Sequence, residues 1–233
     1  MIEGLPLYVT LVFFLTTLLA VWFLVSAGRK AGEHSPPYQI LLFLLPLWIL
    51  LTGYLSTTGF YRVPDAIPPR VVVFGVFPPV LVIVIYLIAF RDFVRRLPLT
   101  SLTLLHVVRI PVELVLLWLY QNGQAPILMT FEGWNFDILS GITAPAIYLL
   151  AFRNGRVNKP LLIIWNLVAL GLLINIVTIA VLSFRSPIQQ LAFDQPNIGV
   201  TYLPFIWLPS VIVPMVLFAH LAALSKLLGS PER

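Results

Sequence analysis

Cysteine is absent from all 233 residues, which excludes disulfides, thiolate metal sites, iron–sulfur clusters and cysteine nucleophiles together. Charge is scarce too. Asp, Glu, Lys and Arg make up 10% of the chain, against about a quarter in soluble domains. No glycine-rich phosphate loop, HExxH pair, Ser–His–Asp order or TVGYG-like filter occurs, so the chemistries built on those motifs lack their residues. A retinal-type Schiff base would need a lysine midway along the last helix, and Lys226 stands near its end.

What is plentiful is apolar. Residues of that class make up 60% of the sequence and the mean hydropathy is +0.99. A water-soluble fold of this composition would have too little polar surface to cover itself, so the sequence predicts an all-α, polytopic membrane protein. Seven apolar runs use nearly the whole chain as a single transmembrane domain over 1–233. They span roughly 5–27, 38–57, 71–90, 97–121, 133–152, 160–184 and 203–227. The first lacks a basic leader and is too long for a signal peptide's apolar core, so it reads as a retained helix.

The net charge of +5 is distributed by side rather than in a patch, which argues for topology and against a nucleic-acid partner. Arg29, Lys30, Arg91, Arg95, Arg96, Arg153, Arg156, Lys159, Lys226 and Arg233 share one side. Arg62, Arg70 and Arg185 lie on the other, and Arg109 is inside a run. Lys and Arg are retained on the cytoplasmic face. The amino terminus is therefore expected outside and the carboxyl terminus in the cytoplasm, with a bacterial inner (plasma) membrane as the expected location.

A parallel helical-hairpin repeat is also suggested. Ile85-Tyr86-Leu87-Ile88-Ala89-Phe90-Arg91-Asp92 recurs as Ile147-Tyr148-Leu149-Leu150-Ala151-Phe152-Arg153-Asn154, and Pro36, Pro98 and Pro160 each open an even-numbered run at the same interval. Duplication explains this. So does the suitability of Pro for a first helical turn and of Arg for a cytoplasmic rim.

Ionisable groups cost about 2.5–3.5 kcal/mol each in hydrocarbon and tend to mark function. The fourth run carries His106, Arg109 and Glu113 at spacings of three and four, which puts them on one helical face. Arg109 and Glu113 are spaced for an ion pair. Pro111 between them frees the carbonyl of Val107. At about 1.5 Å per residue, His220 and Asn166 fall near the depth of His106, and Asn175 falls level with Glu113. Asp137 lies about a turn below the outer start of the fifth run, with Glu132 and Asn135 nearer the mouth. The expected ligand-binding set is thus His106, Arg109, Glu113, Asp137, Asn175, His220, Asn166 and Glu132. An alternative is that the charges simply hold helices together. Trp48, Trp118, Trp134 and Trp207 are expected as interfacial anchors.

The leading expectation is transport of a small anionic or proton-coupled solute. An intramembrane enzyme acting on a lipid or quinone-like substrate through His106 is the alternative, and a seven-helix receptor comes third. No cofactor is expected except through one option, a haem held axially by His106 and His220. Two histidines are too few for a tetrahedral metal site unless a carboxylate joins them. The expected partners are membrane lipids and a small-molecule ligand, and homo-oligomerisation is left open.

Overall fold

The computed structural model describes residues 2–153 and 155–229. Asn154 of the repeat and Arg233 of the charge count lie outside them. The described chain is all-α apart from one short ladder and an isolated bridge between Phe184 and Asn197. Its helices are α1 (Leu7–Gly32), α2 (Pro36–Thr57), α3 (Val72–Ala89), α4 (Arg91–Arg96), α5 (Leu99–Gln121), α6 (Ile138–Ala151), α7 (Lys159–Leu182) and α8 (Leu208–Leu228). All but α4 and α6 are long and apolar enough to cross a membrane, which makes six. Phe152–Arg153 pairs antiparallel with Arg156–Val157 between α6 and α7.

Burial is uneven. In their most apolar windows α5 and α8 are 61% and 67% buried, whereas α2 and α3 are each 17% buried. The two inner helices are the places where polar side chains can be hidden. α1 packs on them through Val9, Phe13, Ala20, Leu24, Ala27 and Ala31, a stripe at helical spacing. The outer surfaces carry large apolar groups such as Phe43, Leu50 and Ile88, each at least 70% exposed. A water-soluble monomer does not present apolar surface on that scale.

Proline shapes the interior. Pro111 withholds an N–H from Val107, and α5 tightens into a 3₁₀ turn over His106–Val108 just before it. A π turn, Val72–Val76, opens α3 ahead of Pro78 and Pro79, and a second, Leu208–Ile212, opens α8 ahead of Pro214. Pro214 cannot donate to the carbonyl of Ser210, and the indole Nε1 of Trp48 donates to it instead at 2.9 Å. In return Trp207 Nε1 donates to the carbonyl of Ile49 at 3.0 Å. These two tryptophans therefore join α2 to the start of α8 through their indole N–H groups. Trp134 is 70% exposed, as an anchor would be.

The fifth run differs most from expectation. The sequence predicts a helix over 133–152, but α6 begins only at Ile138 and has 14 residues, about 21 Å of helix against the ~30 Å of a bilayer core. The preceding residues form a 3₁₀ turn, Ile127–Met129, and a tight reversal in which the Thr130 carbonyl accepts from the N–H groups of Gly133 and Asn135. A Cβ at Gly133 would run into the Ile127 carbonyl and lie 2.9 Å from Leu128 Cα, so the reversal needs glycine. The backbone leaves the helical path there and turns Asn135 and Asp137 inward.

The two copies of the repeat end alike and then diverge. Phe90 and Phe152 both leave the helix with their N–H groups bonded to the carbonyls of Tyr86 and Tyr148. The chain then enters α4 in one copy and the β ladder in the other.

Candidate functional site

Arg109 sits where the 3₁₀ turn of α5 returns to α-helix, and it is 2% exposed. Its Nη1 lies 3.0 Å from Asp137 Oδ1 and donates to the Ala169 carbonyl at 3.3 Å. Its Nη2 is 3.2 Å from His220 Nε2. The expected Arg109–Glu113 ion pair is therefore replaced by an Arg109–Asp137 pair. Close packing makes this reach feasible: a Cβ at Gly141 would stand 2.8 Å from Ile110 Cγ1 and 3.3 Å from Arg109 Cβ. With no side chain there, α6 lies directly against α5.

Glu113 has another partner. The Asn135 amide Nδ2 lies 2.6 and 2.7 Å from its two carboxylate oxygens and also donates to the Met129 carbonyl at 2.9 Å. Asn135 Oδ1 accepts from the Asp137 N–H at 3.0 Å. One buried asparagine thus positions both acids. Depth along the fifth run suggests only a place near the mouth for Asn135, and a helix over 133–152 would put residues 135 and 137 on nearly opposite faces. Two polar residues two apart just after a glycine in an apolar stretch were the available signal.

On the other side of Arg109 the hydrogen bonds fix a tautomer. Asn166 Nδ2 donates to the Leu162 carbonyl at 2.8 Å, which leaves its Oδ1 to accept from His220 Nδ1–H at 2.8 Å. His220 Nε2 is then the lone-pair nitrogen facing the guanidinium. His106 stacks on His220 with ring centroids 4.0 Å apart and meets Trp165 edge-on at 5.2 Å. Among the described residues neither of its ring nitrogens has a hydrogen-bond partner, and it is 1% exposed.

Six of the eight expected residues thus share one buried cluster: His106, Arg109, Glu113, Asp137, Asn166 and His220. The other two do not join it. Asn175 is exposed on α7 and donates to the Trp134 carbonyl at 2.9 Å. Glu132 is exposed on the reversal before α6. Both were placed by depth alone, and depth does not specify which way a side chain faces.

The imidazole pair does not fit a haem. Axial ligands must point a nitrogen at one iron from opposite faces of a porphyrin. Here the rings lie face to face at van der Waals separation, and both His220 nitrogens are engaged. Among the described residues no group of three or more His, Cys, Asp or Glu side chains is arranged to hold a metal ion.

A cavity of about 90 Å³ lies beside the acids, bounded by α3, α5, α7 and α8. Glu113, Asp137 and Asn197 supply its polar lining, and side chains such as Val112, Leu173, Val200 and Leu208 supply the rest. Arg109, His106 and His220 lie behind this wall. One guanidinium faces two carboxyl groups here, so with both ionised the cluster is one positive charge short.

No curated protein and no solved structure matches the chain. A family model does match, over residues 67–228, a stretch that contains every residue of the cluster, and the chain belongs to the family described as domain of unknown function DUF8737.

Proposed function

We propose that this chain is a seven-pass protein of a bacterial inner membrane that moves a small solute together with a proton, and that Glu113 and Asp137 carry the proton. The amino terminus lies outside. Ten basic residues on one side against three on the other support this orientation. The fifth crossing is completed by the irregular stretch before α6, whose Ala125, Thr130 and Asn135 are fully buried in protein. Non-helical backbone at depth is tolerated when it is buried in this way.

The observation that carries the reading is the charge balance beside the cavity. Two carboxylates at its wall share one fixed counter-charge, Arg109, held by Asp137, Ala169 and His220. A single proton makes the group neutral, and its gain and loss changes the cluster's charge by one as the site is exposed to each side in turn. This favours the proton-coupled form of the transport expectation over direct anion capture by Arg109, whose terminal nitrogens are occupied. The enzymatic alternative needs His106 open to the bilayer, and that ring is enclosed by Trp165 and His220.

Infrared difference spectra across a pH titration test the proton carrier without knowledge of the solute. Wild-type protein in lipid should show a buried carboxylic-acid band that titrates, and Glu113→Gln should remove or shift it while the protein stays folded. Identical spectra from wild type, Glu113→Gln and Asp137→Asn would overturn the assignment. Proteoliposomes with a trapped pH dye, challenged with small carboxylates, phosphate and amines, then report the coupled solute.

A further inference from the structure

A second cavity, of about 280 Å³, opens between the α2–α3 and α7–α8 connections. Arg62 and Arg185 line it, both exposed, and among the described residues neither has a carboxylate in ion-pair range. The Arg62 guanidinium lies over the Tyr202 ring, 4.6 Å from its centroid. Tyr61 lines the same cavity, is 1% exposed, and its hydroxyl has no hydrogen-bond partner among the described residues. Burial pushes its pKa up to about 12, so the group remains an O–H donor at neutral pH. A buried donor without an acceptor is costly and rare. Two guanidiniums with no carboxylate partner among the described residues and a phenol donor together make an oxyanion-recognising set.

Phe184 lines this cavity and also the one that holds Glu113 and Asp137. It is 6% exposed and closes the last turn of α7, where its N–H donates to Val181 and the neighbouring Ser183 carbonyl accepts from Asn197. Phe184 therefore borders both spaces.

We propose that the outer cavity loads a small oxyanion, a carboxylate or acid phosphate, and that the Phe184 ring partitions it from the acid pair beyond. The onward step rests on the proton-coupled reading. A loaded carboxylate takes the proton shared by Glu113 and Asp137 and continues as a neutral carboxylic acid, and the pair is left one proton short until it reprotonates from the far side; phosphate, which one proton does not make neutral, stops at the outer cavity. An apolar inner cavity suits the neutral form and rejects the charged one.

The absence of cysteine allows a direct test in the intact chain in nanodiscs. Ile198→Cys places a thiol at the outer cavity and Val200→Cys at the inner one. Each is reacted with a negatively charged sulfonate and a positively charged ammonium methanethiosulfonate. At Ile198→Cys the anionic reagent should react about tenfold faster; adding Arg62→Gln and Arg185→Gln should abolish that preference, and acetate or inorganic phosphate should slow labelling. At Val200→Cys, Phe184→Ala should speed labelling about tenfold or more, equal to about 1.4 kcal/mol off the barrier. Phe184→Leu, a milder change, should fall between.

A preference that is absent, or that survives loss of both arginines, overturns the loading site. Unchanged Val200→Cys rates in both Phe184 variants overturn the partition. If anionic phospholipid in the disc protects Ile198→Cys while acetate and phosphate do not, the occupant is a lipid headgroup and the soluble-anion assignment falls. The infrared band judges the proton carrier separately. An unchanged band in both Glu113→Gln and Asp137→Asn would sink the coupled reading while leaving the charge preference at Ile198→Cys measurable.

Discussion

At the scale of single residues, the polar face of the fourth run was legible because its spacing of three and four is a property of any helix. Its pairing was not. Residues four apart on one helix compete with partners that other segments bring, and here Asp137 reaches Arg109 while Asn135 holds Glu113. The two acids should therefore differ sharply on substitution. Asp137→Asn strips Arg109 of its ion partner and is expected to cost about 3–5 kcal/mol, since breaking a buried pair leaves an uncompensated charge. Glu113→Gln removes a negative charge that has no matching positive one, and keeps an acceptor for Asn135, so it should change stability by less than about 1 kcal/mol. Thermal unfolding in detergent checks the ranking, and equal losses would contradict the charge balance. Tyr61→Phe is a second contrast. It deletes a buried hydroxyl with no partner, so it should leave stability unchanged or raise it by up to about 1–2 kcal/mol while weakening anion protection at the outer cavity.

At the scale of elements, the long spans were readable because hydropathy over about 20 residues and proline at helix starts report the same thing. Pro36 opens α2, Pro98 caps α5 and Pro160 lies in the first turn of α7. α6 was not readable to its true length. An apolar stretch that turns within protein has the hydropathy of a helix, and only Gly133 with the inward Asn135 and Asp137 marks the difference. The π turns of α3 and α8 likewise have no hydropathy signature, though Pro78, Pro79, Pro209 and Pro214 announce irregular backbone. Two substitutions test these contacts. Gly141→Ala puts a methyl 3.0 Å from the Ile110 backbone nitrogen and should lower stability by about 1–3 kcal/mol through overpacking. Trp48→Phe leaves the Ser210 carbonyl without its donor, a loss of about 1–3 kcal/mol. Unchanged unfolding midpoints would show that α5–α6 and α2–α8 are not held at these points.

At the scale of the molecule, the cluster draws on the two most buried helices, α5 and α8, and on α6 and α7 packed beside them, which is why no one stretch of sequence displays it. The same architecture makes the number of crossings a sharp question. α6 alone is too short, so seven passes require the irregular segment before it to complete the fifth. Reporter thiols in the cysteine-free chain decide this. His34, Asn122 and Gly155 are exposed in the connections after α1, α5 and α6. With the amino terminus outside and seven crossings, Asn122→Cys should react with an impermeant reagent in intact cells, whereas His34→Cys and Gly155→Cys should react only after the membrane is opened. If Gly155→Cys reacts from the same side as Asn122→Cys, the segment from Asn122 to Ala151 enters and returns without crossing. If all three sides exchange, the Arg62–Arg185 cavity faces the cytoplasm and the proposed direction of loading reverses, although the charge balance at Glu113 and Asp137 is unaltered by either result.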